Sequence, residues 1–419
     1  MPWNWVPEQQ EVRDMVKAFA EKHIVPVGDT YDRAEPKFPQ EILDAMAKEG
    51  YPGFPFAKEY GGRGESKIRY VTLIEEVSKY DAGFGIVMAV TVLAGYPIEK
   101  FGTEEQKKKY LPDMCAGKLV GAFALTEPGA GSDAANQHTT AEDKGDHYLL
   151  NGEKIFITSG DAAGVIVTVC KILPPGETDL EKGKVSTLLF DDPSDPGFSY
   201  ELIKYKMGIR GSTQARIFFK DVKVPKENLL GEVGKGFRIA MTTLDGARVG
   251  VAAQSVGIGQ HALELATAYA KEREQFGRPI AKQQAIQWMV ADMATRLDAA
   301  RLLTYRAAVL EDAGERFSTE ALLRRLLRPN PRRLRLLRRL LGRRTHIPRR
   351  PHNPHLRGHL RGPAARHREP FAKVKNLRPG KGVRQTCSIK RNWRKSPRPR
   401  RNGIRKPTLA TSATTSSRP

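Results

Sequence analysis

Tyr148-Leu149-Leu150-Asn151-Gly152-Glu153-Lys154-Ile155-Phe156-Ile157 sets Asn-Gly between two runs of strand-forming residues. Asn-Gly suits a two-residue turn with positive φ at both positions, so the stretch predicts a β-hairpin. Strand-like runs follow at residues 164–170, 185–190 and 215–219, with turn residues between them. Together they predict a compact, barrel-like β domain over residues 120–232.

On the N-terminal side the period becomes helical. Val12, Met15, Val16, Phe19, Ala20, His23 and Ile24 recur at helical spacing and predict one buried face. Ile42, Leu43 and Met46 mark a second helix ending at Gly50, a residue suited to a C-cap. Thr103-Glu104-Glu105-Gln106 has capping-box spacing and predicts a helix over 106–111 that Pro112 closes. The most apolar stretch, residues 84–98, is shorter than the roughly 20 residues of a membrane span. It reads as a buried core helix, and no membrane span is expected.

Helical period returns after Gly236. Ile286, Met289, Val290, Met293, Leu297, Ala300, Thr304 and Ala307 form one stripe on a helix running to about Asp312. A helix of roughly 45 Å is unstable alone and needs antiparallel partners. The expected fold class is therefore α+β multidomain. An N-terminal α-helical domain (1–119) precedes the middle β domain (120–232) and the first part of an incomplete C-terminal helical bundle (233–321). No internal repeat is visible.

The 419-residue chain is 40% hydrophobic and 28% charged, which places it among soluble proteins of two or three domains. The net charge of +23 is unevenly spread. Residues 1–320 carry 39 basic and 46 acidic side chains, whereas residues 321–419 carry 31 basic and one acidic, Glu369. Cys115, Cys170 and Cys387 have no ligand spacing, which excludes a disulfide scaffold or zinc site and fits a reducing compartment. No metal is expected. Met1-Pro2-Trp3-Asn4-Trp5 lacks the pattern of a secretory signal, so a cytoplasmic location is expected, or the mitochondrial matrix in a eukaryote, although no transit peptide is visible.

The segment richest in chemistry is Ala124-Leu125-Thr126-Glu127-Pro128-Gly129-Ala130-Gly131-Ser132-Asp133. Its small residues let backbone approach a ligand closely, and Thr126 and Ser132 offer hydroxyls. By itself it reads equally well as an ordinary glycine-rich turn. Other segments accompany it: Phe101-Gly102-Thr103-Glu104-Glu105-Gln106, Phe156-Ile157-Thr158-Ser159-Gly160, Lys206-Met207-Gly208-Ile209-Arg210-Gly211-Ser212, Glu227-Asn228-Leu229-Leu230-Gly231, Leu244-Asp245-Gly246-Ala247-Arg248 and Arg273-Glu274-Gln275-Phe276-Gly277.

In that order these segments resemble the acyl-CoA dehydrogenase family, of the short- and medium-chain, butyryl-CoA dehydrogenase-like kind, over residues 1–320. The resemblance implies an FAD-dependent α,β-desaturation of an acyl-CoA, with electrons passing to an electron-transferring flavoprotein. It implies flavin contacts from Phe123, Leu125, Thr126, Gly131, Ser132, Phe156 and Thr158, the threonine hydroxyls donating to the polar edge of the ring. Ser132 would also meet the pantetheine arm. Asp245 and Arg248 would line the acyl-CoA channel, although an isolated Asp-x-x-Arg on a helix is usually a surface ion pair. Arg273, Phe276 and Gln284 would hold the FAD of a neighbouring subunit in a homo-oligomer, commonly a tetramer. Asn136 and Gln283 depart from the family's usual residues.

The same resemblance exposes a gap. A carboxylate must take the α proton, and the family's Tyr-Glu-Gly-Thr-like stretch has no counterpart in residues 322–419. Some relatives place the base immediately before the arginine matched by Arg248, a position that holds Ala247 here. The catalytic residue is therefore unknown, and dehydrogenase activity of this chain is not expected.

Two origins fit the basic tail. Out-of-frame translation explains its Arg, Pro, Leu, Gly and His content, and a shift of one base lets Arg344-Thr345-His346-Ile347-Pro348 read as Tyr-Ala-Tyr-Thr, a family-like stretch. A genuine extension binding nucleic acid or anionic surfaces is the alternative, with Phe371 and Trp393 as its only aromatics. A disordered polycation without specific nucleic-acid recognition is the expectation. An acyl-CoA oxidase-like flavoprotein is the other functional alternative.

Overall fold

A computed structural model describes residues 5–34 and 36–319; the tail and the expectations attached to it lie outside the described residues. The order is helices, a curled half-barrel sheet, then helices.

Helix α1 (Pro7–Phe19) runs on through a π-helical turn, Ala20–Ile24, and buries Val12, Val16, Phe19, Ala20 and Ile24 along the expected stripe. After the short α2 (Gly28–Arg33), α3 (Gln40–Lys48) buries Ile42, Leu43 and Met46. Gly50 follows with φ 69°, the left-handed turn expected of it. Next come α4 (Lys67–Tyr80), α5 (Ala82–Phe101) and α6 (Glu104–Cys115).

The apolar stretch is the buried core helix expected of it, though longer than read, while the expectation at Pro112 fails. The apolar helix α5 has 20 residues, so length and composition would let it cross a membrane; 72% of its apolar window is nonetheless buried inside the fold. Pro112 does not close α6, which continues to Cys115. Proline removes only its own N–H bond, its carbonyl still accepts from Ala116 N at 3.0 Å, and flanking Leu111 and Met114 are wholly buried. The capping box does form, with Gln106 N donating to Thr103 Oγ1 at 3.3 Å and Thr103 N to Gln106 Oε1 at 3.1 Å.

The sheet comprises β1 (Gly121–Ala124), β2 (Thr140–Asp143), β3 (His147–Thr158), β4 (Val165–Leu173), β5 (Lys184–Phe190), β6 (Phe198–Leu202) and β7 (Gln214–Pro225). Its order is β1-β4-β2-β3-β7-β6, with β5 on the other side of β4. β1 and β2 share one edge of β4 end to end, both parallel to it, and every residue of β4 is buried.

The expected hairpin at Asn151-Gly152 is absent: both residues lie inside the single strand β3. β7 pairs with β3 on either side of them, and the register shifts between Leu150 and Gly152. The extra residue is on β7, where Asp221 stands at φ 54°; Gly152, beside the shift at φ 144°, is held close to the approach to β2, and a Cβ there would lie 2.6 Å from Thr139 Oγ1. Asn151 exchanges two bonds with Asp221 of β7, at 3.1 and 2.8 Å. The true hairpin joins β2 to β3 through Lys144-Gly145-Asp146, with Gly145 at φ 93°.

Helix α7 (Gly236–Glu272) leads through a two-stranded arm, β8 (Glu274–Gln275) and β9 (Arg278–Pro279), to α8 (Gln284–Asp312). α4, α7 and α8 pack together, and the buried Arg301 of α8 donates to Glu75 of α4 at 3.0 Å. Asp312 caps α4, accepting from Lys67 N at 2.7 Å and Ile68 N at 3.1 Å. The α8 stripe is buried at Thr304 and Ala307 but only half-buried from Ile286 to Ala300, and Trp288 is 65% exposed. Helices and sheet are joined by Gln106, whose amide donates to Glu227 O at 2.7 Å and Leu229 O at 2.9 Å.

Candidate functional site

The loop after β1 lies against β3 through one backbone bond, Ile155 N to Thr126 O at 2.8 Å. A second register shift in β3, between Lys154 and Ile157, puts Phe156 at φ 63°. Left-handed backbone is costly for an aromatic residue and persists only where its surroundings impose it. The result turns the Phe156 ring outward, 58% exposed, beside half-buried Thr126. Thr158 is two residues on, its hydroxyl accepting from Gln214 Nε2 at 3.4 Å. Gly131 and Ser132 are exposed, and a Cβ on Gly131 would meet nothing within 4 Å. Phe123 and Leu125, expected beside them, are buried at 9% and 8% exposure.

Beneath this edge is a buried polar cluster that sequence reasoning missed. Lys154 is fully buried and donates to Glu127 Oε1 at 2.7 Å, Leu125 O at 3.3 Å and Gln137 Oε1. Glu127 also accepts from His138 N at 2.7 Å and Thr139 N at 3.0 Å. Burial pushes the Glu127 carboxyl up, but the Lys154 ammonium and these donors outweigh it and hold it below the usual carboxylate range. Burial also pulls the Lys154 ammonium below the usual lysine range, with Glu127 opposing. The cluster pins the 124–139 loop to β3 from below, and so fixes where the Thr126 and Phe156 edge stands.

On α7, Arg248 donates to Asp245, which also accepts from Ser318 Oγ at 2.9 Å. Gly246 and Ala247, between them in sequence, line a cavity of about 50 Å³ whose other walls are α4 and α5. Lys67 and Tyr70 of α4, Leu93 and Tyr96 of α5, and Thr243 and Gly250 of α7 face it. Only the glycines at 246 and 250, four apart on one helical face, hinted at an open slot here. Ala247 brings no ionisable group to this wall.

Arg273, Phe276 and Gln284 stand together on the arm and at the start of α8, all exposed, with Phe276 at 93% and φ 56°. No hydrogen bond or ion pair among the described residues links them to the Phe156 edge.

Comparison with known proteins follows this architecture. The acyl-CoA dehydrogenase N-terminal domain profile matches residues 6–118, the middle domain 122–222 and the C-terminal domain 234–327. A short-chain-specific acyl-CoA dehydrogenase of Clostridium acetobutylicum is 43% identical over 323 residues, 77% of this chain and 83% of that protein. The caffeyl-CoA reductase-Etf complex subunit CarC of Acetobacterium woodii is 46% identical, covering 75% and 82%. The solved butyryl-CoA dehydrogenase of Megasphaera elsdenii superposes with a TM-score of 0.74 at 39% identity, over 82% of this chain and 90% of that one. Helices, half-barrel and helices with an exposed aromatic edge thus define a flavoenzyme-type scaffold. The chain belongs to the acyl-CoA dehydrogenase family, whose fold binds FAD.

Proposed function

We propose that this chain has the FAD and acyl-CoA sites of its family, retains FAD weakly, and lacks the group that removes the α proton. The observation that carries this reading is Phe156, an exposed aromatic ring held in left-handed backbone beside Thr126. A flat aromatic surface flanked by the Thr126 and Thr158 hydroxyls suits an isoalloxazine ring and its polar edge. Bound FAD would supply the hydride acceptor for desaturation between Cα and Cβ.

The chain's own residues hold and orient. Thr126 and Thr158 would donate to the ring's polar edge, on a loop and strand held together by the buried Lys154–Glu127 pair. Phe123 and Leu125 support the edge from the core, while Gly131 and Ser132 leave room above it for the ring and the pantetheine arm. Asp245 and Arg248 stand beside the acyl cavity as its channel residues. Arg273 suits a pyrophosphate, since guanidinium and phosphate pair through two charge-assisted bonds. With Phe276 and Gln284 it would serve the FAD of a neighbouring subunit in a homotetramer. Electron-transferring flavoprotein is the proposed acceptor and the cytoplasm the proposed location.

Ala247 offers no proton acceptor at the cavity wall. The test is a titration of the purified full-length chain with FAD, then anaerobic addition of butyryl-CoA. Weak FAD binding and an unchanged flavin spectrum are expected; bleaching of the flavin would overturn the claim that no base is present.

A further inference from the structure

The cavity beside α7 is mainly apolar, and its one charged lining residue comes from α4. Lys67 brings its ammonium there, paired with Glu311 at 3.0 Å, the two side chains 12% and 14% exposed. Glu311 Oε2 is buried with no hydrogen-bond partner among the described residues. Tyr70 is 3% exposed, and no group among the described residues hydrogen-bonds its hydroxyl. The glycines of α7 open the slot toward this wall. A Cβ on Gly246 would lie 3.2 Å from Glu311 Oε1 and 3.7 Å from Lys67 Nζ, and one on Gly250 would lie 3.7 Å from Tyr70 Oη.

Two hydrogen-bond donors, the Tyr70 hydroxyl and the Lys67 ammonium, thus face a small, mainly apolar space; of its other hydroxyls, Thr243 is committed to Ile239 O at 2.8 Å and Tyr96 accepts from Lys100 at 3.0 Å. A buried polar group without a partner costs about 1–3 kcal/mol, and such groups are normally met by a ligand or a bound water. A plain alkyl tail would bury both donors and satisfy neither. A carboxylate-ended tail is disfavoured, because Glu311 already neutralises Lys67 and would repel a second anion. The volume of about 50 Å³ suits only a few heavy atoms, since one water-sized sphere takes roughly 10–15 Å³.

Resting on the acyl-CoA reading above, we infer that the preferred acyl group is short and carries a neutral oxygen, a hydroxyl or carbonyl, at its distal end, held by Tyr70 and Lys67. Lys67 and Tyr70 are then specificity-determining residues.

The test uses the full-length, FAD-loaded chain and two nearly isosteric probes, 4-hydroxybutanoyl-CoA and pentanoyl-CoA, titrated by calorimetry. The hydroxylated probe should bind about tenfold more tightly, the equivalent of one net hydrogen bond. In Tyr70→Phe that ratio should fall toward one. The double variant Lys67→Met with Glu311→Gln, which removes the charge pair together, should lower it as well. Circular dichroism establishes that each variant is folded. Equal or tighter binding of pentanoyl-CoA by the unaltered chain, or a ratio unchanged in both variants, overturns the inference while leaving the acyl-CoA reading intact. FAD binding with no affinity for either thioester overturns both.

Discussion

The Lys154 ammonium lies 2.7 Å from the Glu127 carboxylate, with 0% and 4% of the two side chains exposed. One charge from the loop and one from β3 neutralise each other in the core, so each is tolerable only while the other is present. Lys154→Met should destabilise the fold by about 3–5 kcal/mol, because it leaves a buried carboxylate unpaired. Lys154→Met combined with Glu127→Leu should cost less than the single change. Urea unfolding followed by circular dichroism measures both, and an equal or larger loss in the double variant would refute the pairing.

The same carboxylate sets an acid limit. Its folded-state pKa is depressed, so its stabilisation is fully present above the unfolded value, about 4.3, and is lost as pH falls through the lower folded value. Glu75, Asp81, Glu99 and Asp161 are shifted the other way by burial and gain stability in acid. The informative quantity is therefore the difference between the unaltered chain and the Lys154–Glu127 double variant. That difference should be constant from pH 5 to 7 and shrink below about pH 4; a constant difference down to pH 3 would contradict it.

Phe156 separates stability from binding. Phe156→Gly removes a costly left-handed conformation and should be neutral or stabilising by about 1 kcal/mol. It should also weaken FAD binding at least tenfold by removing the aromatic surface. Thermal melts and flavin fluorescence titration would then move in opposite directions. Unchanged FAD affinity would remove Phe156 from the site.

Gln106 is 4% exposed and acts at once in the α6 capping box and in the link to residues 227–229. Gln106→Glu keeps the cap acceptor but sets a carboxylate against two carbonyl oxygens. It should destabilise by more than Gln106→Ala, itself about 1–3 kcal/mol. Denaturant midpoints for the two variants decide the order.

Ala247→Glu puts a carboxylate that is not paired with Lys67 on the α7 wall of the cavity. If a missing base is all that blocks turnover, this variant should bleach bound flavin under butyryl-CoA while the unaltered chain does not. A silent variant that still binds both FAD and the thioester would locate the defect elsewhere.

What the sequence revealed, and what it hid, follows the range of the interactions involved. The stripe from Val12 to Ile24, the capping box at Thr103 and the long α8 are local patterns, and each formed as read. Asn151-Gly152 reads as a turn because a turn and a strand position pressed against Thr139 both demand glycine. The choice lies with β7, some seventy residues on, which pairs across both halves of β3. Lys154 sits in a strand where a lysine ordinarily reads as solvent-facing, and its partner is 27 residues upstream. The cavity was invisible for the same reason, since α4, α5 and α7 each contribute only part of its wall. Motif order, not local physics, pointed to Thr126, Phe156 and Thr158.

The bond from Lys67 N to Asp312 spans 245 residues of chain, and Glu311 beside it completes the Lys67 pair. During synthesis the N-terminal helices therefore emerge long before the residues that cap α4 and pair with Lys67. Until α8 leaves the ribosome, Lys67 has a charge without a counter-charge and α4 has an unfinished first turn. The charged wall of the cavity beside α7 is among the last parts of the described fold to be completed.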